Sequence, residues 1–535
     1  MDVLLISYYE SRDVEMFENV GLEIISSCFK EKGIQSKLIY IEVSDYSEIN
    51  MNTLIPYIDE YHPKIIAIPV FYPYVRYVND MFGEIKVAYP EIHLISGGAQ
   101  ISQSPMRVME KYTNIEAGTI GEGEETTPEL VRALLDGTDL GNVAGIIWRK
   151  NNEIIMNETR PPVDLNKYPW PDREILRTNR FKYVRVSASR GCFGVCKFCV
   201  ESRTFKVQQK QHARWRGRDI INVVDEIEYL QKEFGIDTFN IIDNSFEDPT
   251  PGEGKERLRK FAEEILRRGL DIFYTVFFRC ETFHDDDLDL LLLLKKSGLM
   301  YAFLGVESGC DKTLKLFSKI ANSLQNIRTI KLFEKADIYI GYGFIMFHPY
   351  TSIEELKENM QFLKKVPFAD NMLIYTNKMQ IFYDVPFYNI VERDGLLDES
   401  FSIENPFAYH FQDPRMEWGL RMTMKMVETD FNNLWKYARY IDSVIQKSKK
   451  YGNYKYVFEL QEINYKTKHV ISDLNIAYME KLIDMMEVEN MQDNIDDVIS
   501  DVYSNKLYEK LDIELKQAFK TFMVMNRRNN LSKVV

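Results

Sequence analysis

The chain of 535 residues is long enough for two or three domains with large cores. Its apolar content of 45% includes no run of membrane-spanning length, and its formal net charge of -14 argues against a general nucleic-acid binder, because phosphate backbones need a basic surface. Six cysteines in so long a chain make no disulfide framework.

Residues 1–7 carry no basic leader and read as a buried strand rather than a signal peptide. An apolar run over residues 3–6 leads into a helical pattern over residues 16–32 that stops at Gly33. Residues 36–41, 64–70 and 93–96 read as further strands, the second β-branched and the third stopped by Gly97 and Gly98. Short buried strands between amphipathic helices over residues 1–140 predict a parallel, doubly wound sheet. Ligands of such sheets bind beyond the carboxyl ends of the strands, here residues 8–12, 71–76, 97–102 and 118–125. Residues 143–157 predict a hairpin turning at Asn151 and Asn152, and Pro161, Pro162, Pro169 and Pro171 mark a linker.

From Tyr183 the βα rhythm resumes. Strands are predicted over residues 183–189, 238–243, 273–279, 301–305, 339–346 and 372–382, with helices over residues 220–234, 255–268, 285–297, 323–336 and 352–364. Six such strands are too few for a closed eight-fold barrel and enough for a partial one. Beyond about residue 395 the chain reads as helical, rich in Met, Tyr and acidic residues. Its acidic stretch over residues 484–501 reads as a solvated helix face, or as a dock for a basic partner. The expected architecture is α/β: a doubly wound, Rossmann-like domain (1–145), hairpin and linker (146–180), a partial (β/α)6 barrel (181–395) and a helical C-terminal domain (396–535).

The loop after the first barrel strand holds Cys192, Cys196 and Cys199 in a C-x3-C-x2-C spacing, with Phe198 before the last. Three thiolates can hold three irons of a [4Fe–4S] cubane and leave the fourth open. Such a cluster is suited to chemistry rather than to simple electron transfer. The other reading is a structural zinc site with a remote fourth ligand, and zinc wants four ligands in closed geometry. A three-thiolate loop needs reducing surroundings, so a cytoplasmic location is expected.

A cysteine loop at this place in a six-strand βα barrel resembles the radical S-adenosylmethionine superfamily, over roughly residues 180–390. The resemblance implies that the open iron chelates S-adenosylmethionine, whose reductive cleavage yields a 5′-deoxyadenosyl radical. It assigns Phe198 to the adenine side, and Asp243 and Ser245 after the second strand to the neighbourhood of the methionine amino group. Arg279 ends the third strand. Glu307 and Ser308, in Gly305–Gly309, answer to the ribose and carboxylate groups, and Ile345 and His348 to the adenine motif. Arg216-Gly217-Arg218 also recurs in one branch of the superfamily. Plainer roles stand beside these: Glu307 as a buried structural carboxylate, Arg279 as an ion-pair arginine, His348 as a helix cap. Cys280 and Cys310 are hydrogen-atom donors to a substrate radical or simply small buried residues, and Cys28 reads as core.

A doubly wound domain ahead of this barrel is similar to the cobalamin-binding branch, the class B methyltransferases. Gly97, Gly98 and Gln100, then Gly121, Glu122 and Gly123, match its glycine-rich loops, where glycine lets backbone approach a corrin or its nucleotide tail. The resemblance also draws in Tyr9, Glu10 and Val70, and puts Tyr72, Tyr74 or Arg76 on the lower face. An Asp-x-His-x-x-Gly motif is absent, so no protein histidine is expected on cobalt. The implied cofactors are a [4Fe–4S] cluster, S-adenosylmethionine and cobalamin, with a one-electron reductant of flavodoxin or ferredoxin type as partner. The implied reaction is methylation of an unactivated carbon of a peptide or natural-product substrate through methylcobalamin. Epimerisation, cyclisation or ring rearrangement, and a non-catalytic iron–sulfur or corrinoid-binding protein, are the alternatives. A methylthiotransferase would need a second cysteine triplet, and the N-terminal part has only Cys28.

Overall fold

The computed structural model describes residues 1–10, 18–151, 153–178, 183–201, 215–247, 253–367, 369–450, 457–488, 491 and 495–527. Residues 16, 17 and 152, and parts of the acidic stretch 484–501, lie outside the described residues.

The strands β1 (Val3–Glu10), β2 (Ser36–Val43), β3 (Ile65–Pro69), β4 (His93–Gly97) and β5 (Ala117–Thr119) run parallel in the order β2-β1-β3-β4-β5. Leu4, Ile6, Ile66 and Ile68 enter one core, and Val3, Leu5, Ile65 and Ala67 enter a second, as a sheet covered by helices on both faces requires. The first helix starts at Val20 because Asn19 caps it, accepting from the Leu22 amide at 3.2 Å. The predicted hairpin forms as β6 (Ile146–Lys150) and β7 (Glu153–Met156), with Asn151 at a left-handed φ of 51°. β6 pairs antiparallel with β5, so the hairpin lengthens the N-terminal sheet rather than standing with the linker.

The proline-rich segment after the hairpin carries a buried guanidinium. Arg173 meets Glu18 at 3.0 Å and Glu23 at 3.1 Å on the N-terminal side, and Glu226 at 2.7 Å on the barrel side. Arg218 reaches the second oxygen of Glu226 at 2.6 Å. One linker residue thus ties both domains together through charge-assisted bonds.

The barrel region holds β8 (Val184–Val186), β9 (Ser189–Gly191), β10 (Trp215–Gly217), β11 (Thr238–Ile241), β12 (Phe273–Arg279), β13 (Leu299–Glu307) and β14 (Tyr339–Phe344). Its parallel sheet has the order β14-β13-β12-β11-β8, while β9 and β10 form a separate antiparallel ribbon. The strand predicted over residues 183–189 is therefore broken in two. Asp243 accepts from the Ala188 amide at 2.8 Å and the Ser189 hydroxyl at 2.6 Å, which turns the chain out of line before the cysteines. The sixth strand predicted over residues 372–382 does not form. Met372–Thr376 is a short helix whose Asn371 cap accepts from the Leu373 amide at 2.9 Å, and pairing survives only as a bridge between Phe347 and Lys378. A short buried apolar run has no periodicity that separates strand from helix.

The remainder is helical, with Arg415–Met424, Asp430–Lys450, Val457–Glu487 and Asn505–Arg527 as its main helices. Ala438, Ile441 and Met479 share one core with the barrel strands. No described helix is long and apolar enough to cross a membrane.

Candidate active site

The cysteine loop folds tightly over its own sulfurs. A Cβ at Gly194 would stand 3.3 Å from Cys192 Sγ and 3.7 Å from Cys196 Sγ, and the Gly194 amide donates to Cys192 Sγ at 3.4 Å. The loop is pinned from outside: the Lys197 amide donates to the Phe317 carbonyl at 2.9 Å, and the Phe387 amide to the Lys197 carbonyl at 3.0 Å. Among the described residues, no three His, Cys, Asp or Glu side chains converge on one point. Three cysteines on one loop suit a cubane, whose cysteines each meet a different iron. Burial pushes the Cys196 thiol up to about 11 and the Cys199 thiol up to about 12. Lys319 favours the Cys196 thiolate and Arg279 the Cys192 thiolate. Iron would supply the remaining positive charge that buried thiolates need.

Around this loop the predicted residues divide into those already spent and those still open. Asp243 is spent on Ala188 and Ser189, and burial raises its carboxyl to about 6. Ser308 donates to Asn359 Oδ1 at 3.0 Å and accepts from the Cys310 amide at 3.1 Å. His348, buried, lies 2.9 Å from Glu355 through Nε2, while its Nδ1 accepts from the Tyr350 amide at 3.3 Å. Its ring packs edge-on against Phe317, which packs in turn against Phe198. The geometry therefore commits His348 to Glu355 rather than to an adenine ring. The Ile345 amide donates to the Glu307 carbonyl at 2.8 Å. Cys280 is fully buried in the barrel core, and Cys310 is buried at the start of the helix Asp311–Leu316.

Arg279 and Glu307 remain available. Arg279 lies between Glu247 and Glu281, each at 3.4 Å, with its guanidinium over the Phe193 ring of the cysteine loop. Glu307 has a left-handed φ of 70° at a register shift in β13, and its side chain stands 3.8 Å from Lys319 Nζ. Burial raises the Glu307 carboxyl; burial also works against the Lys319 charge, yet Glu307 and Cys196 hold the ammonium up. Ser245 Oγ, Glu247 Oε2, Arg279 Nη1 and Glu281 Oε2 are buried without a hydrogen-bond partner. Orphaned polar atoms at the ends of β11 and β12 call for an outside partner, and the amino-acid end of S-adenosylmethionine fits that demand. Glu247, Glu281 and Lys319 were not singled out by the sequence. Glu247 adjoins the Asp243–Phe246 stretch and was within reach of it, whereas Lys319 sits in a turn with no motif.

A cavity of about 410 Å³ opens at the carboxyl ends of the N-terminal strands. Of the residues expected there, Gly97, Gly98, Gly121, Glu122 and Gly123 line it. Gly98 has a φ of 88°, and a Cβ on it would press on the Val70 carbonyl at 3.3 Å. Ser96 Oγ, on the same wall, is buried without a partner. A narrow glycine cradle with an open hydroxyl fits a flat ligand such as the nucleotide end of cobalamin. The other expected residues point elsewhere. Tyr9 donates to Glu42 at 3.1 Å and Glu10 accepts from the Tyr46 amide at 3.2 Å, because β1 runs on to Glu10 beside β2. Val70 and Gln100 are buried, Tyr74 donates to the Pro69 carbonyl at 3.0 Å, and Arg76 lies 3.9 Å from Asp80 at the surface. Tyr72 accepts from Gln380 at 3.0 Å across the domain boundary. Asn19, Phe71 and Arg190 line the cavity instead.

Barrel residues close this cavity: Ser187, Arg190 and Ile242 complete its wall. Arg190 pairs with Glu124 and, at 3.3 Å, with Glu122, and Arg216 also pairs with Glu122. The glycine loop and the cysteine loop are thus joined directly.

Family models agree with this division. The Radical SAM superfamily model matches residues 186–363, and the B12 binding domain model matches residues 15–131. The chain is 26% identical over 328 residues to an uncharacterized methyltransferase of Pyrococcus horikoshii, covering 60% of this chain and 68% of that one. It is 26% identical over 367 residues to the anaerobic magnesium-protoporphyrin IX monomethyl ester cyclase of Rubrivivax gelatinosus, covering 66% and 62%. Over the first few curated relatives, the chain spans between about half and two thirds of their length. Among solved structures, the cobalamin-dependent S-adenosylmethionine radical enzyme OxsB superposes with a TM-score of 0.67 at 19% identity, over 97% of this chain and 84% of that one. The radical S-adenosylmethionine methyltransferase TsrM of Kitasatospora setae gives 0.60 at 16%, over 75% and 79%. At these identities the two structures share the fold.

Proposed function

We propose that this chain, a radical S-adenosylmethionine enzyme with a B12-binding domain, methylates an unactivated carbon of a peptide or natural-product substrate. The observation that carries this reading is the shared wall: one cavity is bounded by the glycine loops of the B12-binding domain and by Ser187, Arg190 and Ile242 of the barrel. When bound, the cluster with S-adenosylmethionine supplies a radical able to take hydrogen from carbon, and cobalamin supplies a methyl carrier. Cys192, Cys196 and Cys199 would hold the cluster. Arg279, set between Glu247 and Glu281, would meet the carboxylate end of S-adenosylmethionine, and Glu307 with Lys319 would take its remaining polar groups. Gly97, Gly98, Gly121 and Gly123 would admit the corrin tail. Placing three thiolates and iron together requires reducing surroundings, so we place the enzyme in the cytoplasm, fed by a flavodoxin- or ferredoxin-type reductant.

Relatives named as methyltransferases support transfer of a methyl group, among them the hopanoid C-3 methylase of Methylococcus capsulatus at 21% identity. The cyclase relatives favour one second reading, ring closure without methyl transfer. The test uses the anaerobic, cofactor-loaded enzyme, extract of the source cells and S-adenosylmethionine labelled at its methyl group. Label in a new product together with S-adenosylhomocysteine is the expected result. Deoxyadenosine release with an unlabelled product would overturn methylation in favour of the cyclase reading.

A further inference from the structure

The pairing register of β12, β13 and β14 sorts the barrel interior into rungs. Thr275, Tyr301 and Tyr339 form the lowest, Phe277, Phe303 and Gly341 the middle one, and Arg279, Gly305 and Gly343 the highest. Residues of the opposite parity, such as Val276, Phe278, Leu304 and Tyr342, are buried under the helices, so the three rungs face the lumen.

The lowest rung is closed. A Cβ at Gly341 would stand 2.0 Å from the Tyr301 hydroxyl, so that ring crosses the lumen, and Arg439 donates to its oxygen at 3.2 Å. The highest rung is polar and belongs to the cofactor end, with Arg279 over Phe193 and Glu307 filling the space left by Gly305 and Gly343. The middle rung differs from both. On β12 and β13 it bears no charged side chain, and Phe277, inside a barrel strand, is 40% exposed beside Phe303 at a ring separation of 5.2 Å. On β14 the Tyr301 hydroxyl takes the place of a side chain at Gly341, and a Cβ at Gly343 would meet both the Phe303 ring and Glu307 Oε2 at 3.3 Å. On the neighbouring strand, Ile242 lies two residues past Asn240, which pairs with Thr275, and Ile242 also lines the 410 Å³ cavity.

An open aromatic face thus lies one rung, about 7 Å along the strand, below the cysteine-loop end, and its edge adjoins the cobalamin cavity. A molecule that yields a hydrogen to the cofactor end and receives a group from the cavity side would lie across it. A charged group laid on the two rings would lose water without gaining a hydrogen bond from them, whereas an apolar group is favoured there. Resting on the proposed function, we infer that the substrate presents an uncharged apolar group, an aromatic ring or branched aliphatic side chain, to Phe277 and Phe303 at the reacting carbon.

The test uses the reduced, cofactor-loaded full chain and four probes: N-acetyl-phenylalaninamide, N-acetyl-leucinamide, N-acetyl-aspartic acid α-amide with a free β-carboxylate, and N-acetyl-lysinamide. The readout is deoxyadenosine release above the probe-free rate, with cluster loading checked by iron content and absorption. The two apolar probes are expected to outdo the two charged ones by about tenfold. Phe277→Lys should lower the response to the apolar probes and raise that to the aspartic acid α-amide. Equal responses to charged and apolar probes, no response to any probe, or an unchanged order in Phe277→Lys would overturn the assignment. Because deoxyadenosine is read rather than methylated product, failure here is distinct from failure of the methylation reading, which the labelled-methyl experiment decides.

Discussion

The guanidinium of Arg190, two residues before Cys192, is ion-paired with the carboxylate of Glu124 across the boundary between barrel and B12-binding domain. Glu124 is buried, and the same guanidinium also reaches Glu122. The backbone of the cysteine loop and the backbone of the glycine loop that lines the N-terminal cavity therefore share a charge-assisted bond. Breaking one partner of such a pair strands the other. Replacing Arg190 with methionine is expected to cost about 3 kcal/mol and to weaken cobalamin retention. Thermal melts and corrin absorption after gel filtration would measure both, and a variant with wild-type melting and retention would show that the link is idle.

Cys196→Ala removes one of the three proposed iron ligands on a loop that has no spare thiol. The expected outcome is loss of the broad cluster absorption and of deoxyadenosine formation. Wild-type iron content and turnover in that variant would refute the cluster assignment.

The linker clamp makes stability depend on pH. Burial raises the Glu23 carboxyl to about 8, with neighbouring Glu18 adding to the shift and Arg173 opposing it. Its folded value lies above the unfolded one near 4.5, so unfolding releases a proton and the stabilising contribution is complete only at low pH. That contribution is lost as pH rises from about 4.5 to about 8. The melting temperature should therefore fall between pH 6 and pH 9, and Glu23→Gln should flatten the fall; an identical slope in the variant would count against the clamp.

His348 tests how the barrel end is divided between structure and cofactor. With both ring nitrogens engaged by Glu355 and the Tyr350 amide, His348→Ala should lower stability by about 1–3 kcal/mol. Affinity for S-adenosylmethionine should change little, as calorimetric titration of the cluster-loaded variant would show. A large loss of affinity with unchanged melting would return His348 to the adenine site.

Gly98 is the cradle position where a left-handed backbone coincides with a close backbone neighbour. Its φ of 88° and the 3.3 Å approach to the Val70 carbonyl leave no place for a methyl group. Gly98→Ala should reduce cobalamin retention while cluster content stays at the wild-type level; full corrin occupancy in the variant would remove the glycine loop from the site.

Much of this was legible in the chain. The alternation of flat apolar runs with amphipathic helices identified both α/β regions, because burial on two faces leaves a pattern in composition. Cys192, Cys196 and Cys199, the proposed cluster ligands, stood out for a similar local reason: all three lie within eight residues of one loop. The strand predicted over residues 372–382 was not decidable, since Leu373, Ile374 and Tyr375 suit either element until Asn371 caps them. Tyr9, Tyr72, Tyr74 and Arg76 do not line the cavity, because sequence position beyond a strand end does not say where a side chain points.

By itself, the sequence determined the kind of chemistry, since a three-thiolate loop, a partial barrel and glycine-rich strand ends are local patterns that need no partner to be read. Only the tertiary structure decided how the parts meet. It spends Asp243, Ser308 and His348 on the scaffold, leaves Ser245, Glu247 and Glu281 with buried oxygens that lack a hydrogen bond, and joins Arg190 to Glu122 and Glu124. Those assignments depend on contacts between residues tens to hundreds of positions apart, where distance and burial, not residue type, settle which polar group is satisfied and which is free to bind.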